Sequence, residues 1–195
     1  MLLRARYLQN SEFYKNLFAY VIKKFCFLFF FLLSIVVVKS QQNIDFQNDY
    51  DLLKVEMNND VDHTLVKLDQ FIKSAEVHKN FQFVSKGFYL KSFGYLLKGN
   101  SSACLENADK ALEVATKYNY PEEQALAYRI KGTQYAKMNL FEMADEYFEK
   151  GLSLVERRRS QESYEIRGLI YNSQLVALGD TQDEDAKRKR LAISL

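Results

Sequence analysis

Few residues in this chain of 195 have the types and spacing that catalytic or metal chemistry needs. The histidines are His63 and His78, and a separation of fifteen residues places them on the end turns of one predicted helix instead of in one ligand sphere. Cys26 lies in an apolar run, and we expect Cys104 to pack as a small buried side chain. No glycine-rich phosphate loop, nucleophile motif or carboxylate pair marks a pocket. We therefore expect no catalytic residues, no cofactor, no metal site and no small-molecule substrate, and we do not expect an enzyme.

The charge pattern gives no footprint for nucleic acid. The chain has 27 Lys and Arg against 25 Asp and Glu, and six of the basic residues but one acid lie in residues 1–40. Residues 41–195 therefore hold 21 basic and 24 acidic residues, a net charge of −3. We interpret the basic runs 157–159 and 187–190 as solvated helix surfaces, where cations are favoured near a helix C-terminus. No contact with nucleic acid is expected from this segment.

Long helices are the elements that must position any functional residue. One proline and seven glycines in the chain argue against many strands and turns. Apolar residues recur at spacings of three and four, which is typical of amphipathic helices. This pattern predicts an all-α fold with helices over residues 44–57, 61–78, 82–98, 102–118, 122–138, 141–157, 161–178 and 183–194.

The predicted helices repeat in pairs. The sequence Tyr128-x-x-Lys131-Gly132-x-x-Tyr135 returns 36 residues later as Tyr164-x-x-Arg167-Gly168-x-x-Tyr171 and occurs 38 residues earlier as Leu90-x-x-Phe93-Gly94-x-x-Leu97. The second helices align at a period of forty, which matches Thr64, Cys104 and Ala144, and likewise Leu68, Ala108 and Phe148. We expect Gly94 and Gly132 to be equivalent positions at which a neighbouring helix approaches closely.

These residues resemble the tetratricopeptide repeat, whose first helix has a large residue, Gly and Tyr and whose second has Ala and an aromatic residue. The matching positions here are Tyr128, Gly132, Tyr135, Ala144 and Phe148. The repeats run 36–40 residues, whereas the family unit has about 34. The resemblance covers residues 45–195 and implies an antiparallel helix-pair solenoid, a tetratricopeptide-like superhelix of about four helix pairs. Together with its N-terminal segment, the chain resembles the exported or membrane-anchored bacterial proteins that contain this repeat.

The resemblance also implies a binding groove, because in this family side chains of the first helices line the concave face. Such a groove would favour an extended peptide with acidic groups. The alternative is that these positions are simply a solvated polar helix face. Carried over by position, the groove residues are Lys91, Tyr95, Lys98, Arg129, Thr133, Lys137, Glu165, Asn172 and Ser173.

Residues 1–40 are predicted to be a leader. Lys23 and Lys24 precede fourteen uncharged residues, 25–38, and small residues then stand before Gln41. This order is typical of a secretory signal peptide, with an uncleaved anchor that associates with a membrane through 25–38 as the alternative. A buried core helix is the third reading. Because the basic part is long, we also expect residues 1–21 to be an over-extended start.

The leader and the repeats together predict two function classes. The first is a protein–protein interaction scaffold over residues 41–195, exported to the periplasm or anchored in the membrane and facing the periplasm, that binds a peptide or protein in its concave groove. The alternative is the N-terminal sensory fragment of a membrane-anchored helix-turn-helix transcriptional regulator. Both fit a repeat domain that is incomplete at its C-terminus, because no polar capping helix follows the last predicted pair.

Overall fold

Seven helices account for most of residues 45–180. The structure is a computed structural model, and it describes residues 23–24, 45–180 and 188. No strand occurs among these described residues, so the predicted all-α class is confirmed. The helices are α1 (Phe46–Met57), α2 (Val61–Val77), α3 (Phe81–Leu97), α4 (Ser101–Lys117), α5 (Pro121–Lys137), α6 (Phe141–Val155) and α7 (Gln161–Asp180).

The helix boundaries agree with the sequence prediction to within two residues at both ends of all seven. The predicted helix 183–194, the apolar run 25–38 and the over-extended start 1–21 lie outside the described residues, apart from Arg188. In the part of the chain that is described, no helix combines the length and the apolar character needed to cross a membrane.

Four inter-helix turns share one conformation. Each consists of three residues, and the middle one has the left-handed φ that usually calls for glycine or asparagine. The N–H of the third turn residue donates to a carbonyl five residues earlier, which closes the end of the preceding helix. The middle residues are Lys79 (φ 56°), Gly99 (φ 70°), Asn119 (φ 58°) and Asn139 (φ 60°), and the bonds run from Asn80 to Ala75 (2.9 Å), Asn100 to Tyr95 (3.0 Å), Tyr120 to Ala115 (2.8 Å) and Leu140 to Tyr135 (3.0 Å).

These regular turns set a spacing of twenty residues per helix. Helices α2 to α6 begin at residues 61, 81, 101, 121 and 141, so one helix pair with its two turns spans forty residues. Local caps support several of the starts: the side chains of Asp45, Asp60 and Asn100 accept bonds from backbone N–H groups three residues ahead, as N-cap residues do.

The odd-numbered helices contact one another in succession, α1 with α3, α3 with α5, and α5 with α7. The even-numbered helices α2, α4 and α6 each pack against the odd-numbered helix before and the one after. Side chains from three or more odd-numbered helices can therefore meet on one side of the helical domain formed by residues 45–180.

One close approach between two helices is at Gly132. A Cβ added there would lie 2.7 Å from Cε1 of Phe148 and 3.0 Å from the carbonyl oxygen of Ala144, both on α6. Phe148 and Ala144 are fully buried. The expected role of Gly132, to admit a neighbouring helix, is confirmed.

Gly94 has a tight environment too, but the predicted equivalence with Gly132 is wrong. A Cβ at Gly94 would meet Leu65 of α2 and Met57 of α1 at 3.0 Å, so this glycine faces the preceding helices. The position that matches Gly132 is forty residues earlier, at Ser92, whose hydroxyl donates to the Cys104 carbonyl at 2.7 Å. The repeat in α3 is therefore shifted by two residues from the alignment that the glycines suggested.

The third copy of the motif, on α7, is also out of register. An added Cβ at Gly168 would meet nothing within 4 Å among the described residues. Tyr164 and Tyr171 are 52% and 50% exposed. Because the structural period is forty, Gly168 corresponds to Tyr128 and not to Gly132, so this stretch lacks the packing role that its sequence suggested.

Candidate binding cavity

A cavity of about 380 Å³ lies against the row of odd-numbered helices. All four of these helices contribute to it, although α1 and α7 are more than a hundred residues apart in sequence. Its lining residues are Gln47, Tyr50, Asp51 and Lys54 of α1, Lys86 and Tyr89 of α3, Leu126 of α5, and Glu162, Glu165, Ile166 and Leu169 of α7.

A partly buried ion pair network joins three of these helices. The Lys86 ammonium lies 3.0 Å from Glu162 and 3.6 Å from Glu123, and Gln82 donates to Glu123 at 2.7 Å. Burial raises the pKa of Glu123, although Gln82 and Lys86 act to lower it. The network fixes α3 relative to α5 and α7, because a buried carboxylate is costly unless a cation and a donor remain beside it.

Tyr50 presents a hydroxyl that has no hydrogen-bond partner within residues 45–180. Its residue is only 6% exposed and lines the cavity. Burial raises the pKa of Tyr50 well above its usual range, and the nearby Tyr89 and Asp51 raise it further. The phenol therefore stays neutral and offers one donor and two acceptor sites to whatever enters.

Arg129 ties α5 to its two odd-numbered neighbours beside this cavity. One terminal nitrogen donates to Ser173 Oγ at 3.1 Å and the other to the Tyr89 hydroxyl. The guanidinium also lies over the Tyr89 ring, 5.6 Å from its centre. Its Nε is buried without a hydrogen-bond partner among the described residues. These contacts hold the Arg129 guanidinium in place between Tyr89 and Ser173.

The charges that line the cavity do not cancel. Lys54 lies 3.5 Å from Asp51, and Lys86 is paired with Glu162. Glu165 accepts a hydrogen bond from the neutral amide of Gln161 at 2.9 Å, and within residues 45–180 it has no cationic partner. Within the described part of the chain, the Glu165 carboxylate is thus left without a counter-ion.

The groove residues predicted on α3 lie on its other side. Lys91 pairs with Asp69, and Lys98 with Asp62, both aspartates of α2. The hydrogen bond from Lys98 to Asp62 raises the pKa of that lysine. Tyr95 is half-buried beside the cluster that contains Cys104 and Ala108 of α4. Lys91 and Lys98 face the even-numbered helix α2, and none of these three residues lines the cavity.

The predicted residues on α5 and α7 are distributed differently. Glu165 lines the cavity, and Arg129 lies next to it. Thr133 donates to the Arg129 carbonyl at 3.0 Å, Ser173 accepts from Arg129, and Lys137 and Asn172 are exposed. That these residues bind a partner stays a prediction.

The sequence interpretation missed most of the lining, yet a signal was present. Lys86, Leu126 and Ile166 are forty residues apart and all line the cavity. Tyr89, Arg129 and Leu169 are also forty apart, and all three lie at or beside it. Applying the period of the second helices to the first helices would have selected both sets.

The two histidines lie at opposite ends of α2, and the buried cysteine lies on α4. His63 is in the first turn of α2, 3.1 Å from Glu56, and His78 caps the end of the same helix. Cys104 is fully buried as expected, and burial raises its pKa. In the described segments no three His, Cys, Asp or Glu side chains are grouped so as to hold a metal ion.

Comparison of the chain with protein-family models, with curated proteins and with solved structures finds no match in any of the three.

Proposed function

We propose that this chain is a protein–protein interaction scaffold built of tetratricopeptide-like helix pairs, which binds a peptide or a protein segment in the cavity along its odd-numbered helices. The regular forty-residue pair supports the repeat architecture, as do the mutual contacts of α1, α3, α5 and α7. The close contact between Gly132 and Ala144, twelve residues apart, is the sort of small-residue crossing that the family uses within one helix pair. The leader predicted in residues 1–40 is the basis for proposing a location outside the cytoplasm or at its membrane.

The observation on which the proposal rests is the composition of the cavity. Its volume falls in the range of about 300–1,000 Å³ that ligand sites occupy. Leu126, Ile166 and Leu169 supply an apolar wall, and the Tyr50 hydroxyl and Glu165 supply polar groups without full partners. A pocket with these two kinds of surface suits a side chain and the adjacent backbone of a polypeptide better than it suits bulk water.

The test uses two leucines on the same helix. Leu169 is 43% exposed and lines the cavity, whereas Leu175 is 61% exposed and does not line it. Peptides selected from a random heptapeptide display library against the purified full chain would be measured by fluorescence polarisation. We expect Leu169→Lys to weaken binding at least tenfold and Leu175→Lys to leave it within about twofold, with unchanged helicity in both.

Equal binding to the two variants would refute the assignment of the site to this cavity. A library that yields no peptide above the background of the empty display vector would refute the proposed function itself.

A further inference from the structure

The charge of the cavity specifies the chemistry of its ligand. We infer that the cavity binds the cationic side chain of an arginine or lysine in the bound segment, with Glu165 as the counter-ion. The inference rests on the proposed function, because it names the ligand class of the same site.

The cavity is lined by more carboxylates than ammonium groups. Three carboxylates line the cavity, those of Asp51, Glu162 and Glu165, against the ammonium groups of Lys54 and Lys86. Both lysines are already within ion pair distance of a carboxylate, so among residues 45–180 the carboxylate of Glu165 remains without a cation. An entering cation would gain a charge-assisted hydrogen bond there, and such bonds are roughly twice as strong as neutral ones.

The cations that could attract an acidic peptide, Lys91, Lys98 and Arg129, do not line the cavity. Lys91 and Lys98 are engaged by aspartates of α2 on another side of α3. Arg129 donates to the neutral hydroxyls of Tyr89 and Ser173, lies over an aromatic ring and is not itself a lining residue. An acidic side chain in the cavity would meet Glu165 with no free cation among the lining residues to offset the repulsion.

The apolar wall of the cavity suits the shape of a lysine or arginine side chain. Lysine and arginine have long aliphatic stems that can be buried while the charged end remains hydrated or paired. Leu126 and Ile166 are buried residues whose exposed atoms face the cavity, so they can cover such a stem. The unpartnered hydroxyl of Tyr50 can accept a hydrogen bond from an ammonium or guanidinium group, which has donors and no acceptor.

The experiment determines the composition of the selected heptapeptides and then the effect of Glu165. We expect arginine or lysine to be enriched at one position. For a selected peptide, replacing that residue by glutamine should weaken binding about tenfold, and Glu165→Gln should weaken binding of the parent peptide by a similar factor. The two changes together should cost little more than either alone, because they remove the same interaction.

Glu149→Lys is the matched control for Glu165→Lys. Glu149 is an exposed acid on the even-numbered helix α6, so it tests whether a general change in charge is enough. We expect Glu165→Lys to abolish binding of the basic peptide and Glu149→Lys to leave it within about twofold at 150 mM salt, where charges further apart than about 8 Å are screened.

Three outcomes separate the inference from the function beneath it. Peptides that depend on Leu169 but are enriched in Asp or Glu, or in no charged residue, would overturn the inference and leave the proposed function standing. A basic peptide that tolerates Glu165→Gln and Glu165→Lys would overturn it as well. Failure to select any peptide that depends on the cavity would remove both.

Discussion

Replacing Gly132 by alanine should destabilise the protein, although alanine is normally the better helix residue. The added Cβ would lie 2.7 and 2.8 Å from two ring carbons of Phe148 and 3.0 Å from a backbone oxygen of α6. The Phe148 ring is 0% exposed and has no solvent to move into. Overpacking of this kind costs about 1–3 kcal/mol, whereas the change from glycine to alanine gains about 1 kcal/mol in helix propensity. Because both a ring and a backbone atom are too close, we expect a net loss of about 1–2 kcal/mol.

Gly168 is the matched control, because it makes the same chemical change in the interior of α7. Nothing among the described residues lies within 4 Å of its added Cβ. Gly168→Ala should therefore gain stability, by about 0.5–1 kcal/mol, from propensity alone. Urea unfolding of the full chain, followed by circular dichroism at 222 nm, gives both free energies, and the dependence of stability on urea should be unchanged.

A second substitution tests the cause of the loss. Phe148→Leu shortens the side chain that the new methyl group would meet, so in combination with Gly132→Ala it should cost about 1 kcal/mol less than the sum of the single changes. The reasoning would be refuted by a Gly132→Ala protein as stable as the wild type. A shift in the same direction for Gly132→Ala and Gly168→Ala would refute it equally.

Two further predictions concern a turn and a buried acid. Lys79 holds a left-handed φ of 56°, which costs a non-glycine residue about 1–2 kcal/mol. Lys79→Gly should therefore stabilise the protein by about 0.5–1 kcal/mol, while Gly99→Ala at the equivalent turn should destabilise it by about 1 kcal/mol. Thermal unfolding of both variants would show opposite shifts in the midpoint temperature, and equal shifts would contradict the turn geometry. Burial raises the pKa of Glu123 in the folded state above its unfolded value, so this group loses stability as the pH rises from the unfolded value through the folded one. The stability of Glu123→Gln relative to wild type should accordingly increase between pH 4 and pH 7, and a difference that stays constant or falls over urea titrations in that range would show that burial does not dominate at this carboxylate.

The helices could be read from the sequence because their causes are local. Apolar residues at spacings of three and four mark the buried faces, and Asn119, Asn139 and Gly99 are residues that accept a left-handed turn. The prediction of the helix ends needed no knowledge of long-range contacts. Lys79 is the exception among the turns, because lysine does not mark a left-handed conformation in the sequence.

The register of the odd-numbered helices could not be read in the same way. Glycine was taken as the marker of a repeat position, but α3 has Ser92 where α5 has Gly132, with Ala108 opposite in place of the large Phe148. Gly132 with Phe148 and Ser92 with Ala108 are thus different residue pairs at equivalent positions, so the repeat does not require a glycine there. Gly94 instead contacts Leu65 and Met57. The groove residues of α3 that were predicted from their positions relative to Gly94 therefore do not line the cavity.

The ion pairs of the cavity were beyond the sequence for another reason. Lys86 and Glu162 are 76 residues apart, and each looks like an ordinary solvated charge in its own helix. Nothing in either local pattern states that Lys86 is buried, because its burial results from the packing of α3 against its odd-numbered neighbours. Polar networks that join distant helices become visible only when those helices are assembled.

The cavity draws its lining from the first and the last described helices, and this has a consequence for how the protein unfolds. In a repeat protein whose units contact only their neighbours, the ends can fray while the middle stays folded. If a ligand occupies the cavity as proposed, its site is lost when either α1 or α7 opens, so that ligand would bind only the form in which both helices are folded. At a concentration one hundred times its dissociation constant, such a ligand adds about 2.7 kcal/mol to the cost of losing either end. Occupancy would therefore turn gradual melting from the ends into a single cooperative transition.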